Sequence, residues 1–310
     1  MIYCNITLYG GDKMKNELKL VAGCDTFEVR ADYDLTQDYG GITHLQVLNE
    51  CKSHGRLWKY KVTCDKISSG YNMADFSGII DYVREVFKGA TVLYISRLDI
   101  RFDNFDIGAY ETYYKLNSLL LSLLAYRYTF ANRYASTDPI VGIKKTIRVE
   151  RKAGDYTAEY YNKQAQKPER GISARLELRS KRTEIDLLQD ISGFTSFHIG
   201  EWFDMMSEAA NKERFNELKQ QINCGITDNY IEGKFKSAAE YVAYYSDFIY
   251  DKQQARDIFV RLGKSGRNGD DFFANRPQQQ IITLDDIRAY IGILRAASIK
   301  FLDVNKEQVF

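Results

Sequence analysis

Polar and apolar positions alternate with a period of two in three stretches of this chain. These are Ser96–Phe102 (SRLDIRF), Tyr156–Gln164 around Glu159-Tyr160-Tyr161-Asn162-Lys163, and Ala174–Arg179 (ARLELR). Side chains of a β-strand point alternately to opposite faces. Arg97, Asp99 and Arg101 therefore share one face of the first stretch, Glu159, Tyr161 and Lys163 one face of the second, and Arg175, Glu177 and Arg179 one face of the third. A sheet face carrying a phenol, an ammonium, guanidiniums and carboxylates is poor core material. It suits a site that holds a phosphodiester, and a cation, beside a nucleophile.

The same periodicities predict the rest of the architecture. Residues 1–66 read as mostly β, with strand candidates at Tyr3–Tyr9, Thr26–Ala31 and Arg56–Cys64. Asn72–Lys88 carries Ile79, Ile80, Val83, Val86 and Phe87 on one helical stripe, with Gly89 as a stop. Thr91–Asp103 is a strand, and Tyr110–Tyr128 is a helix turning Leu116, Leu119, Leu120, Leu123 and Leu124 inward. Lys145–Lys152 and Tyr156–Gln164 form a hairpin around Ala153-Gly154-Asp155, and Ile172–Ser180 follows as a third strand. Beyond Gly200, helical periodicity runs through Glu201–Asn223, Glu232–Leu262 and Thr283–Leu302, with Gly263–Pro277 the most loop-like stretch. The expectation is an α+β fold: a central, mostly antiparallel sheet with helices packed on it over residues 1–200, then a helical C-terminal region over 201–310.

Composition narrows the function. A chain of 310 residues with 45% hydrophobic residues and only 3 prolines can build a sizeable core. It has no apolar run long enough to span a bilayer, and its first residues read as a strand and not as a secretory signal. Five scattered cysteines without a C-x-x-C pair point to reduced thiols in a cytoplasmic compartment and away from structural zinc. With only 3 histidines, any metal would be held by oxygen, which favours Mg²⁺ or Mn²⁺. The net charge of +1 hides a strong asymmetry. Residues 140–182 hold 12 Lys/Arg against 5 Asp/Glu, a local +7 that leaves −6 for the remainder. Positive charge is thus concentrated around the tyrosine, where a phosphate backbone would need it, although a solvated charged hairpin would show the same excess.

A phenol with an ordinary pKa of about 10 attacks a phosphodiester poorly unless a cation or a base assists it. Lys163 is the candidate activator of Tyr161. Asp99 and Glu177 are candidate ligands for the divalent ion, with Asp103 and Glu150 as second choices. Arg97, Arg175 and Arg179 are candidate phosphate contacts. Tyr160 is the alternative nucleophile, although alternation places it on the opposite face. In the bland reading, Asp99 and Glu177 simply pair with arginines across the strands. Gly263-Lys264-Ser265 resembles the end of a phosphate-binding loop, but Ile258 stands where its first glycine is required.

The order and spacing of Ser96-Arg97-Leu98-Asp99, Tyr161-Asn162-Lys163 and Arg175-Leu176-Glu177 resemble the replication initiators of rolling-circle replicons. The likeness is nearest to the gene II proteins of filamentous phages and more distant to the Rep proteins of small Gram-positive plasmids. Cys64–Ile67 and Gly70–Asn72 ahead of a helix extend it to roughly residues 55–185. The chain lacks the His-hydrophobic-His of the histidine-metal initiators, and Lys181–Asp190 contains no tyrosine. The resemblance implies an origin-nicking enzyme of a phage or plasmid in the bacterial cytoplasm. It would act on a single-stranded or hairpin site in a replication origin, join Tyr161 to the 5′ end and leave a 3′-OH primer. The C-terminal helices would bind DNA, recruit a host helicase or buttress the sheet. Two other readings fit the same residues: a non-catalytic nucleic-acid-binding protein of replicon control, and a structural protein whose charged strands only pair with one another.

Overall fold

The computed structural model describes residues 20–33, 45–51, 57–64, 76–127, 130–137, 144–151, 153–186, 195–228, 237–244, 249, 251–275 and 282–302. The expected strand at Tyr3–Tyr9 and the stretch 65–72 lie outside these residues. The first half of the chain runs β1 (Leu20–Ala31), β2 (Leu45–Cys51), β3 (Leu57–Thr63), α1 (Phe76–Val86), β4 (Leu93–Asn104), α2 (Ala109–Arg127), β5 (Phe130–Thr137), β6 (Lys144–Arg151), β7 (Tyr156–Asn162), the short α3 (Lys163–Gln166) and β8 (Ala174–Asp186). Helices α4 (Thr195–Ala209), α5 (Lys212–Asp228), α6 (Ala238–Tyr244), α7 (Lys252–Arg261), α8 (Gly266–Ala274) and α9 (Leu284–Leu302) follow. The strands form one eight-stranded sheet in the order β2-β3-β1-β4-β8-β7-β6-β5, and every pairing is antiparallel. The fold is α+β.

Among the described residues, one sheet face is largely apolar. Phe27, Val29 and Ala31 of β1, Ile95, Leu98, Ile100 and Phe102 of β4, Leu176 and Leu178 of β8, and Ala158 and Tyr160 of β7 are all buried in a single core. Helix α2 covers this face with Leu116, Leu119, Leu120, Leu123 and Leu124, as their spacing predicts, and also with Leu121. Helices α1, α4 and α9 pack beside it: Phe76, Trp202, Phe203, Ile287 and Phe301 belong to the same core. Burying a side chain of this size contributes roughly 1.5–3 kcal/mol, so this face supplies most of the drive to fold. The tethers between layers are polar and satisfied. Trp202 Nε1 donates to Ser180 Oγ at 2.8 Å, and the Tyr290 hydroxyl donates to Asn117 Oδ1 at 3.1 Å. A separate small cluster joins α6, α7 and α8 through Tyr241, Val242, Ile258 and Phe259. The expected boundary at residue 200 falls inside α4, and α4 and α9 share the core of the sheet.

Two irregularities in the strands give the sheet its second, charged face. A register shift between Ile95 and Arg97 lets Leu93 and Ile95 share the apolar face with Leu98, Ile100 and Phe102, although their spacing is out of phase. A second shift lies between Cys24 and Thr26, and Asp25 is the extra residue. Bulges re-aim side chains in this way. Asp25 reaches arginines on the charged face while Cys24 and Phe27 on either side stay in the core.

Several expectations require correction. The hairpin strand ends at Asn162 and not at Gln164, because the Asn162 side chain accepts from Ala165 N–H and starts a helical turn. Lys163 is therefore the first residue of α3 and not the next residue of the strand. The third strand begins at Ala174 and runs on to Asp186. The periodicity of the chain does not predict β5. Glu201–Asn223 is two helices that meet at Ala210-Asn211. The loop-like Gly263–Pro277 contains α8, whose Ser265 side chain caps it by accepting from Arg267 N–H.

Candidate active site

Cross-strand register assembles the charged face in rows. Asp103 of β4 lies opposite Arg175 of β8, which lies opposite Tyr161 of β7. The next row holds Arg101, Glu177 and Glu159, and the next Asp99, Arg179 and Thr157. All three sequence stretches thus contribute to one patch. The structure brings Tyr161, Lys163, Asp99, Glu177, Arg97, Arg175 and Arg179 onto it together.

The phenol of Tyr161 donates to Glu177 Oε2 at 3.2 Å, and the Lys163 ammonium lies 5.4 Å from the centre of its ring. Tyr161 is 6% exposed, but its surroundings are polar and not core. Burial raises its pKa well above the ordinary phenol range, the Glu177 charge adds to the rise, and Arg175 opposes it. Burial likewise lowers the pKa of Lys163, helped by the positive charge of Arg175. The ammonium over the ring is a cation–π contact, which such buried settings strengthen.

Tyr160 points the other way. Its ring stacks on Tyr110 at 5.5 Å, and its hydroxyl donates to the carbonyls of Ala109 and Tyr110 at 3.3 and 3.1 Å. It is a core residue tying β7 to the start of α2, so Tyr161 has no rival phenol from its neighbour.

The carboxylates are held by arginines. Asp99, 1% exposed, takes Arg97 Nε on Oδ1 at 2.9 Å and Arg97 Nη2 on Oδ2 at 2.5 Å, while Arg179 Nε reaches Oδ2 at 3.1 Å. Glu177 Oε1 accepts from Arg179 Nη2 at 2.8 Å. Each of the four carboxylate oxygens therefore already accepts a hydrogen bond, and two guanidiniums balance the two negative charges. A dication placed between Asp99 and Glu177 would be repelled by Arg97 and Arg179 unless one of them left. As they stand, these residues do not fit a bound divalent ion. Among the described residues, no group of three or more His, Cys, Asp or Glu side chains is arranged to hold a metal.

Arg175 corrects another expectation. It is fully buried, with Nε and Nη2 on the Asp103 carboxylate at 2.5 and 3.0 Å and Nη1 on Asp25. Its guanidinium is spent on two acids and is not presented to a ligand. Asp103, the second-choice metal ligand, is its partner. Gly23 makes room beside this cluster, since a Cβ there would meet Arg101 Nε at 3.2 Å. Glu150, the other second choice, is held by Arg148 at 3.0 Å, near the edge of the patch. Arg97 and Arg179 keep part of their side chains exposed, 16% and 20%. Glu159 lies directly across from Glu177, and burial followed by that neighbouring charge raises its pKa.

Sequence reasoning missed two members of the patch, Asp25 and Glu28. Glu28 bridges Lys59 at 2.6 Å and Arg97 at 3.0 Å. Both acids sit on β1, and their signal was the acidic side chains within a largely apolar strand, LVAGCDTFEVRA.

No protein-family model matches the chain, and no curated protein matches its sequence. Among solved structures it is similar to a rolling circle replication initiator protein from Geobacillus stearothermophilus, at 13% identity and a TM-score of 0.33. The match covers 74% of this chain and 96% of that one. At that distance the function has to be argued from the residues of this chain. No helix among the described residues is long and apolar enough to cross a membrane.

Proposed function

We propose that the charged sheet face nicks one strand of DNA with Tyr161 as nucleophile, and that the chain initiates rolling-circle replication. The hydrogen bond from the Tyr161 phenol to Glu177, made on a face rich in arginine, carries the reading. The motif order around Asp99, Tyr161 and Glu177 resembles that of such initiators and gives the reaction its class.

The chemistry follows from the contacts. A DNA phosphate competes with Asp99 and Glu177 for Arg179, the more exposed of the two guanidiniums on that pair. Transfer of Arg179 to the phosphate frees the Glu177 carboxylate, already hydrogen-bonded to the phenol, to take the phenol proton. The Tyr161 oxygen then forms a bond to phosphorus, the bond from phosphorus to the 3′ oxygen breaks, and that oxygen leaves as the 3′-OH, taking a proton from solvent that the proton on Glu177 replaces. The Lys163 ammonium stabilises the phenolate as it develops. The phosphotyrosine keeps the ester bond energy, so the reverse attack by a 3′-OH rejoins a strand without ATP. No step here passes through a metal ion. A requirement for Mg²⁺ or Mn²⁺ remains part of the proposal only as an ion admitted after Arg179 has moved.

One observation favours a second reading, a non-catalytic nucleic-acid-binding protein of replicon control. The phenol is nearly sealed and every oxygen of the acid pair is engaged. Incubating supercoiled DNA carrying the replicon's origin with the protein, in Mn²⁺, in Mg²⁺ and in chelator, separates the two. Nicking is expected to yield a protein–DNA adduct stable to SDS on a denaturing gel. Salt-sensitive binding with no adduct under any of the three conditions would leave the binding reading alone.

A further inference from the structure

The same face carries a second feature that the nicking chemistry does not use. About six residues along β8 from Arg175, hence roughly 20 Å from Tyr161 at the rise of a β-strand, a cavity of about 230 Å³ opens between β3, β1, β4 and the β6–β7 turn. Arg30, Lys59, Lys181, Tyr94, Ser96 and Glu28 line it, and the turn residues Ala153 and Gly154 close one side.

Its charges are unevenly satisfied. The single acid, Glu28, is committed to Lys59 and Arg97. Among the described residues Arg30 has no such partner: its buried Nε has no acceptor, and its Nη1 donates only to the Tyr94 hydroxyl, at a long 3.4 Å. A guanidinium has five N–H donors, and a buried one without an acceptor loses the worth of a charge-assisted hydrogen bond. The Lys181 ammonium is 3.9 Å from Glu150, too far for a hydrogen bond. Lys59 retains donors beyond the one facing Glu28. Three cations and one spent carboxylate thus surround a space too small for a drug-sized molecule but open to a tetrahedral oxyanion.

We infer that this cavity is a phosphate-binding site, with Arg30 and Lys181 as its principal donors and Lys59 and the Tyr94 hydroxyl in support. The planar fork of Arg30 suits two oxygens of one phosphate. The phosphate is either the free ion or a phosphodiester of a nucleic-acid backbone.

The test is a ³¹P NMR titration of the full chain at constant ionic strength in chloride, with inorganic phosphate in one arm and the dinucleotide thymidylyl-thymidine in the other. Saturable binding is expected in the wild-type protein. Lys181→Gln and Arg30→Gln are each expected to weaken it about tenfold or more, the loss of one charge-assisted contact. Lys181 is 40% exposed in its side chain, so its variant is expected to keep the wild-type melting temperature even if Arg30→Gln does not. Competition between the two ligands identifies the phosphodiester as a ligand, and binding of inorganic phosphate alone identifies the free ion. Absence of saturable binding, or equal binding by wild type and Lys181→Gln, overturns the site. No cleavage is involved, so this result and the nicking assay fail independently.

Discussion

The Tyr161 hydroxyl donates to Glu177 Oε2 across 3.2 Å from the neighbouring strand. A phenol held by a carboxylate is in the ground state of proton transfer, and the residue that holds it is the one placed to accept its proton. Tyr161→Phe is expected to abolish the covalent adduct altogether. The lost hydrogen bond is worth about 1 kcal/mol, so the melting temperature should fall by only a few degrees. Tyr160→Phe should keep the adduct, since that hydroxyl serves the carbonyls of α2. An adduct that survives in Tyr161→Phe would move the nucleophile elsewhere.

In the proposed nicking reaction, Glu177→Gln separates proton acceptance from binding. The amide keeps the shape of the carboxylate but cannot take the phenol proton. Adduct formation is expected to slow by roughly 10²–10⁴-fold, the usual worth of a general base. Affinity for the same DNA at fixed salt should stay within a few-fold. A variant that reacts at the wild-type rate would assign the proton to another acceptor.

Much of this patch was legible because it rests on a local rule. Alternation in Leu98–Asp103 sorts Asp99, Arg101 and Asp103 from Leu98, Ile100 and Phe102 whatever the rest of the chain does. The fate of each charge was not legible, because it depends on which strand lies alongside. Nothing within Ala174–Arg179 shows that Arg175 meets Asp103, 72 residues earlier, or an aspartate on a bulge of β1, 150 residues earlier. Lys163 was misplaced for a local reason, the Asn162 cap that ends the strand. Helix α8 was hidden by its composition, GRNGDDFFA, which has the glycines and short polar residues of a loop.

Arg175 offers a stability test of its corrected role. Arg175→Met would leave Asp103, 3% exposed, with only the longer contact to Arg101 Nε at 3.4 Å, and Asp25 with Arg101 Nη1 at 3.9 Å. Breaking a buried pair from one side costs about 3–5 kcal/mol. A large loss of denaturant stability is therefore expected, partly recovered when Asp103→Asn is added. A phosphate contact would behave differently, with normal stability, weaker DNA binding and a shallower salt slope.

Asp32 predicts a pH effect away from the site. Its carboxylate ties the end of β1 to the start of β4, with Oδ1 accepting from the backbone N–H groups of Thr91 and Val92 at 2.9 and 3.0 Å and Oδ2 from the Thr91 hydroxyl. Slight burial acts to raise its pKa, and these donors together outweigh it and lower the value. A carboxyl whose folded pKa lies below its unfolded value, about 3.9, stabilises the fold above that pH. The contribution disappears as pH falls through the folded value. Asp32→Asn is thus expected to cost about 0.5–1 kcal/mol at pH 7, and the two stability curves should converge in acid. A difference that is constant from pH 7 to pH 2 would show that charge plays no part.

Two glycines in helices give opposite expectations from the same substitution. A Cβ on Gly269 of α8 would lie 2.5 Å from Arg256 Cα and 2.6 Å from Arg256 N, both backbone atoms of α7. Neither helix can yield without parting, and overpacking of this kind costs about 1–3 kcal/mol. Gly292 of α9 has nothing among the described residues within 4 Å of its Cβ position. There alanine gains only helix propensity, worth up to about 1 kcal/mol. Gly269→Ala should therefore lower the melting temperature and speed proteolysis around α7 and α8, while Gly292→Ala should raise stability slightly. If both variants were stabilised alike, α7 and α8 would not cross at Gly269, and the small C-terminal cluster would need a different packing.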